Sequence, residues 1–167
     1  MIENQDSGFV PMSDPDVPYF SLQAIARANV NYLEGYYNDL WELFLKYPSS
    51  GIMPQLQTEI EFASNVAEGQ SWDYKRTIGW DNYRNCTING ATHYLSGEDI
   101  GNIHYAYVGR SIGFSINTLC LAGGIVQVIT SKGGSILQYD FDSYWDDPND
   151  QVAIKKGANW YDTGKFK

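Results

Sequence analysis

The sequence predicts a mainly α fold: a single compact domain of about five helices with a small β-hairpin or irregular loop region. Three observations carry that prediction. Ala26, Val30, Leu33, Tyr37, Leu40 and Phe44 recur at alternating steps of four and three, which lays one apolar stripe along a helix. Pro54 opens a second apolar-periodic run that Gly69 closes. Asp147-Pro148-Asn149-Asp150 is a strong helix start, with a capping acid followed by proline at the first helical position.

Taken in order, residues 1–18 hold three prolines and several acids without periodicity, as expected of a flexible leader or surface strap. The remainder, 19–167, reads as one domain. The first helix starts after Ser21, a suitable N-cap, and stops before Pro48. In the second, Leu56, Ile60, Ala63 and Ala67 share one face and are expected to point inward. Residues 70–90 mix aromatics with Asp, Asn, Arg and Thr and read as loops with room for a short hairpin. A third helix is expected to open near Asp99–Asn102, capped by one of those two residues, and to run to about Ser111. Ser115 caps a fourth, whose Gly123-Gly124 pair implies close approach of another backbone. Residues 131–146 suggest a loop or strand pair. The last helix follows Asp147, with Ile154, Ala158 and Tyr161 on its inner face.

Composition narrows the function. With 167 residues and 43% hydrophobic side chains, the chain can bury a core without metal or disulfide support. The net charge of −9 opposes a phosphate backbone, so a nucleic-acid partner is not expected, whereas a basic protein partner suits the charge. Cys86 and Cys120 are the two cysteines, and spacing does not decide whether they pair. No signal peptide opens the chain, and the apolar run 113–129 is too short and too polar to span a membrane. Phosphate-loop, H-E-x-x-H, CxxC and Ser-His-Asp patterns are missing. No cofactor and no metal are expected, although Asp146, Asp147 and Asp150 are the kind of ligands a hard cation takes.

The candidate chemistry centres on Gly97–Gly113, which holds four glycines, two acids, an asparagine, an arginine and one of two histidines. His104 is the natural acid–base residue, with Asp99 close enough in sequence to orient its ring. His93 lies in a polar aromatic stretch and is read as structural. Asp73 supplies a second carboxylate, and Lys75 can neutralise a developing oxyanion. Asn102, Trp72, Tyr105, Arg110 and Gln127 complete the expected site as substrate-binding residues. A helix-surface or buried histidine, an ordinary Asp73–Lys75 ion pair and simple helix capping by Asp147 and Asp150 explain the same residues without catalysis.

Four motifs occur in one order: W-D-Y-K at Trp72–Lys75, the Gly97–Ser115 segment, L-A-G-G-I-V-Q at Leu121–Gln127, and D-D-P-N-D-Q-x-x-I-K-K-G at Asp146–Gly157. Together they resemble the C-terminal toxin domain of bacterial polymorphic toxins, the type 44 group, over roughly residues 60–162. The group commonly has Tyr-Gly where this chain has Tyr105-Ala106, and often glycine where Trp145 precedes Asp146. The resemblance implies an antibacterial effector, secreted by a specialised machine or on a large carrier, and countered by a cognate immunity protein. The expected activity is hydrolysis in the target cell's envelope, with peptidoglycan first and the periplasm as the place of action. A nuclease toxin and a non-enzymatic binding or adaptor module of a secretion system are the alternatives.

Overall fold

The computed structural model describes residues 14–121 and 148–166. Helix α1 spans Leu22–Lys46, α2 Pro54–Val66, the short α3 Tyr74–Ile78, α4 Gly97–Ser111 and α6 Pro148–Asp162, with α5 covering the helical residues 116–121. A 3-10 turn at Pro48–Ser50 joins α1 to α2. Strands β1 (Tyr83–Ile88) and β2 (Ala91–Ser96) form one antiparallel hairpin. The mainly α prediction therefore holds. No helix among the described residues is long and apolar enough to cross a membrane.

The core is built around α4, which buries ten of its residues, from Gly97 to Gly109. Its largest neighbour is α6. Asn102 meets Asp150, Ala106 packs with Ile154, and Arg110 meets Asp162, so the two helices run side by side in the same direction. They cross where Gly157 rests on the Ile103 backbone, leaving no room for a Cβ. Helix α1 adds Leu22, Ala26, Val30 and Leu33, and the hairpin adds Cys86, Ile88 and Leu95. Both cysteines are buried.

The hairpin turn is Asn89-Gly90, both with positive φ (49° and 82°). A two-residue turn of this kind matches the twist of paired strands and favours Asn-Gly. Gln23 of α1 fixes it, donating to the Asn89 side chain at 3.1 Å and accepting the Asn89 amide at 3.0 Å. Of the expected leader, residues 1–13 lie outside the described residues. Residues 14–20 lie along β1 as a strap: Asn85 donates its backbone amide to Pro18 at 3.0 Å and accepts that of Phe20 at 2.9 Å.

Four expectations are corrected. On α2 the buried residues are Pro54, Thr58 and Phe62, while Leu56, Ile60, Ala63 and Ala67 all face outward. The helix ends at Val66, with Gly69 three residues beyond its last turn. Helix α4 opens earlier than expected, at Gly97. Its N-cap is Ser96, whose hydroxyl accepts the Asp99 amide at 3.0 Å while the Asp99 carboxylate accepts from the Ser96 amide and hydroxyl. This reciprocal box satisfies donors that a helix start leaves open, and it places Asp99 at the third helical position. Between Gln70 and Tyr83, where loop was expected, α3 forms, capped by Asp73.

On α5, the Ser115 hydroxyl accepts the Thr118 amide at 3.0 Å, as expected of its cap. Gly123-Gly124 and the loop or strand pair expected over 131–146 fall outside the described residues, as do Asp146 and Asp147.

Candidate functional site

Two polar clusters flank α4. The first lies between α3, α4 and α6. Asn102, only 4% exposed, donates its side-chain amide to the Asp150 carboxylate, itself 2% exposed. Lys75 Nζ approaches the same carboxylate at 4.0 Å and lies 5.0 Å from the centre of the Trp80 ring. Lysine reaches this position because Gly101 lacks a side chain: a Cβ there would overlap the Lys75 stem. Trp80 is 47% exposed and forms the open rim of the cluster. The Glu98 amide, in the first turn of α4, donates to the Trp80 carbonyl at 3.1 Å and ties that rim to the helix.

The second cluster faces α1. His104 is fully buried; its Nε2 lies 2.9 Å from the Asn29 side-chain nitrogen, and the same amide donates to the Tyr74 hydroxyl at 3.3 Å. Which of the two donates is set by the ring tautomer and by the way the Asn29 amide is turned. Among the described residues His104 Nδ1 has no hydrogen-bond partner. Tyr74 and Trp72 present ring contacts to the imidazole at 4.7 and 5.9 Å. Burial pushes the His104 pKa down to about 3, so the ring is neutral near pH 7. Burial raises the Tyr74 phenol, and the Asn29 bond partly opposes this.

The expected site residues thus divide. Lys75 and Asn102 converge on Asp150. His104 and Trp72 meet at the second cluster, with Asn29 in the orienting place expected of Asp99, whose carboxylate is engaged in the Ser96 box. Asp73 caps α3, accepting the Gly69 amide at 2.8 Å and the Arg76 amide at 3.3 Å. Tyr105 stacks on Phe62 and donates to the Leu119 carbonyl. Arg110 pairs with Asp162 at 2.9 Å, eight residues along α4 from Asn102, which is about 12 Å. Gln127 lies outside the described residues. His93 stands on β2 opposite Cys86 and packs edge-on to Trp160 at 5.6 Å. Its pKa is lowered by burial first, then by Lys156 and Lys165.

Sequence reasoning passed over Tyr74, Asp150, Trp80 and Asn29 as site residues. Tyr74 stands inside W-D-Y-K, and Asp150 inside D-D-P-N-D-Q, where capping explained it sufficiently. Asn29 had one weak signal: it is a polar residue three positions after Ala26 and four before Leu33, next to the buried stripe.

No group of three or more His, Cys, Asp or Glu side chains suited to a metal ion occurs among the described residues. No curated protein and no solved structure matches the chain. The family model for bacterial toxin 44 matches residues 61–163. That range contains α3, the hairpin, α4, α6 and every residue of the Lys75–Asn102–Asp150 cluster. With more than half its length matched, the chain belongs to the bacterial toxin 44 family.

Proposed function

We propose that this toxin is a hydrolase of the bacterial cell envelope, acting on peptidoglycan in the periplasm, and that Asp150 is its acid–base group. The supporting observation is the Asp150 carboxylate, almost fully enclosed, with the Asn102 amide and the Lys75 ammonium converging on it beneath an exposed indole. An enclosed carboxylate held by an amide has a fixed direction in which to take a proton from attacking water. The Lys75 ammonium, 22% exposed, is the edge open to solvent and can stabilise negative charge on a substrate oxygen. Trp80 offers the apolar face on which a sugar ring stacks. His104 acts at a distance in this reading: with Asn29 and Tyr74 it anchors the start of α3, which carries Lys75.

Expression with and without a periplasmic signal sequence tests the compartment, and digestion of purified sacculi tests the bond class. Periplasmic expression is expected to arrest growth, and purified protein to release soluble fragments from sacculi. Asp150→Asn and Lys75→Met are each expected to lower that release by about 10²-fold or more with native circular dichroism retained. Toxicity confined to the cytoplasm, with RNA degraded and sacculi intact, would replace the proposal with a nuclease. Full potency in folded Asp150→Asn would remove Asp150 from the chemistry.

A further inference from the structure

Helix α1 is far longer than the core it serves. Its buried residues end at Leu33, yet it continues to Lys46, about 20 Å further. Along that overhang the apolar side chains are half-buried or exposed, and none is fully buried. Tyr37 and Trp41 stack at 6.3 Å, and Trp41 and Phe44 at 5.4 Å. Trp41 is 43% exposed and Leu45 61%. Tyr37, Trp41 and Leu45 are spaced by four residues, so they line one side of the helix. Such contiguous exposed aromatics are unusual on a lone protein and typical of an interface core.

The charge around this row selects the occupant. Glu34 lies three positions before Tyr37, and Glu42 three before Leu45, so each carboxylate borders the row. Over residues 34–60 the acids are Glu34, Asp39, Glu42 and Glu59 against the single base Lys46, a net of −3. A second copy would set these acids against their own kind, and an anionic lipid surface would repel them. An arginine-bearing partner meets both features, because guanidinium groups pair with carboxylates and stack on aromatic faces. The overhang also precedes the matched toxin region, which begins at residue 61.

We propose that the distal half of α1 is a docking helix for a partner protein that presents an apolar helix-packing surface rimmed by arginine. Trp41 is the central anchor, and Glu34 and Glu42 are the charged rim. This does not rest on the hydrolase reading. Trp41 lies about 18 Å along α1 from Asn29.

The test uses the full chain and two synthetic twenty-residue amphipathic helices, both with leucine on one face. One carries arginine on the other face and the second carries glutamate. Binding is read by fluorescence anisotropy of labelled peptide. The arginine peptide is expected to bind and the glutamate peptide not to. Trp41→Ser with Leu45→Ser is expected to weaken binding about tenfold or more, as loss of a central aromatic anchor does. Glu34→Gln with Glu42→Gln should weaken it and flatten its salt dependence. Tyr83→Ser, at an exposed aromatic on the hairpin, should leave it unchanged, and circular dichroism should show all variants folded.

Equal binding by the Trp41/Leu45 variant would mean charge alone attracts the peptide, and the proposal would fall. It would fall equally if both peptides bind alike, if neither binds, or if the chain forms a dimer that Trp41→Ser dissolves.

Discussion

Acidification below pH 6.5 should cost this protein stability at its two histidines, both of whose pKa values are lowered, and His104 carries the larger share. The unfolded chain takes a proton on this ring near 6.5, whereas burial in the folded protein delays protonation to about 3. Between those values the unfolded state binds more protons, so stability falls as pH falls. The contribution is fully present above pH 6.5 and gone near pH 3. At about 1.36 kcal/mol per pH unit the ceiling over the window is roughly 5 kcal/mol, and the share lost by pH 4.5 is roughly 2.7 kcal/mol. A domain of this size is stable by about 5–15 kcal/mol, so the effect is large enough to measure. Urea unfolding from pH 7 to 4.5 should be compared between the native chain and His104→Gln. Glutamine can still hydrogen-bond with Asn29 but does not titrate, and the carboxylates are common to both proteins. The native chain should lose roughly 2–3 kcal/mol more than the variant across that range. Parallel curves, or a His104 ring signal titrating near 6.5 by NMR, would refute the buried neutral imidazole.

Gly157→Ala should separate α6 from α4, because its new Cβ would overlap the Ile103 carbonyl and come within 2.9 Å of Ile103 Cα, and a backbone cannot rotate away. Overpacking of about 1–3 kcal/mol, less up to about 1 kcal/mol of helix preference gained, should lower the melting temperature by several degrees in a thermal scan. The Cys86 thiol, pushed up to about 12 mainly by burial, and the buried Cys120 should both be silent to a thiol reagent in the native protein at pH 8. Two equivalents should react once denaturant is added without reductant, and none would indicate a disulfide.

The helical frame was legible wherever sequence periodicity and backbone chemistry agreed. The Leu33-centred stripe, Pro54 and Pro148 each mark an element through a constraint that acts within a few residues. Helix α2 shows the limit of periodicity. Leu56 and Ile60 form the more regular apolar face, yet the core takes Thr58 and Phe62. Thr58 can be buried because its hydroxyl donates to the Pro54 carbonyl at 2.8 Å, a local bond that removes the cost of enclosing it. The Ser96–Asp99 box was readable from its spacing, but Asp99 and Asn102 competed for the cap. The clusters were not legible in the same way. Asn102 and Asp150 are 48 residues apart, and Asn29 and His104 are 75 apart. No local rule links them, so Asp150 looked fully explained by capping and Asp99 looked free to orient a histidine.

The glycine-rich stretch has a role that its polar residues alone do not suggest. Gly97 rests against the Gly79 backbone, where a Cβ would come within 3.1 Å of an Ile78 side-chain carbon, and this holds the end of α3 to the start of α4. One turn on, Gly101 admits the Lys75 stem. Gly157 then lets α6 settle on Ile103. These contacts set where α3 and α6 lie against α4, and therefore where the Lys75 ammonium and the Asp150 carboxylate meet the Asn102 amide. Glycine within a helix costs roughly 0.5–1 kcal/mol relative to alanine. Helices α4 and α6 accept that cost at the positions where a side chain would push the three polar groups apart. The close approach of backbones thus comes first, and the polar cluster follows from it. A histidine fixed on the opposite side of the same helix can then be buried, neutral and still matter to the site.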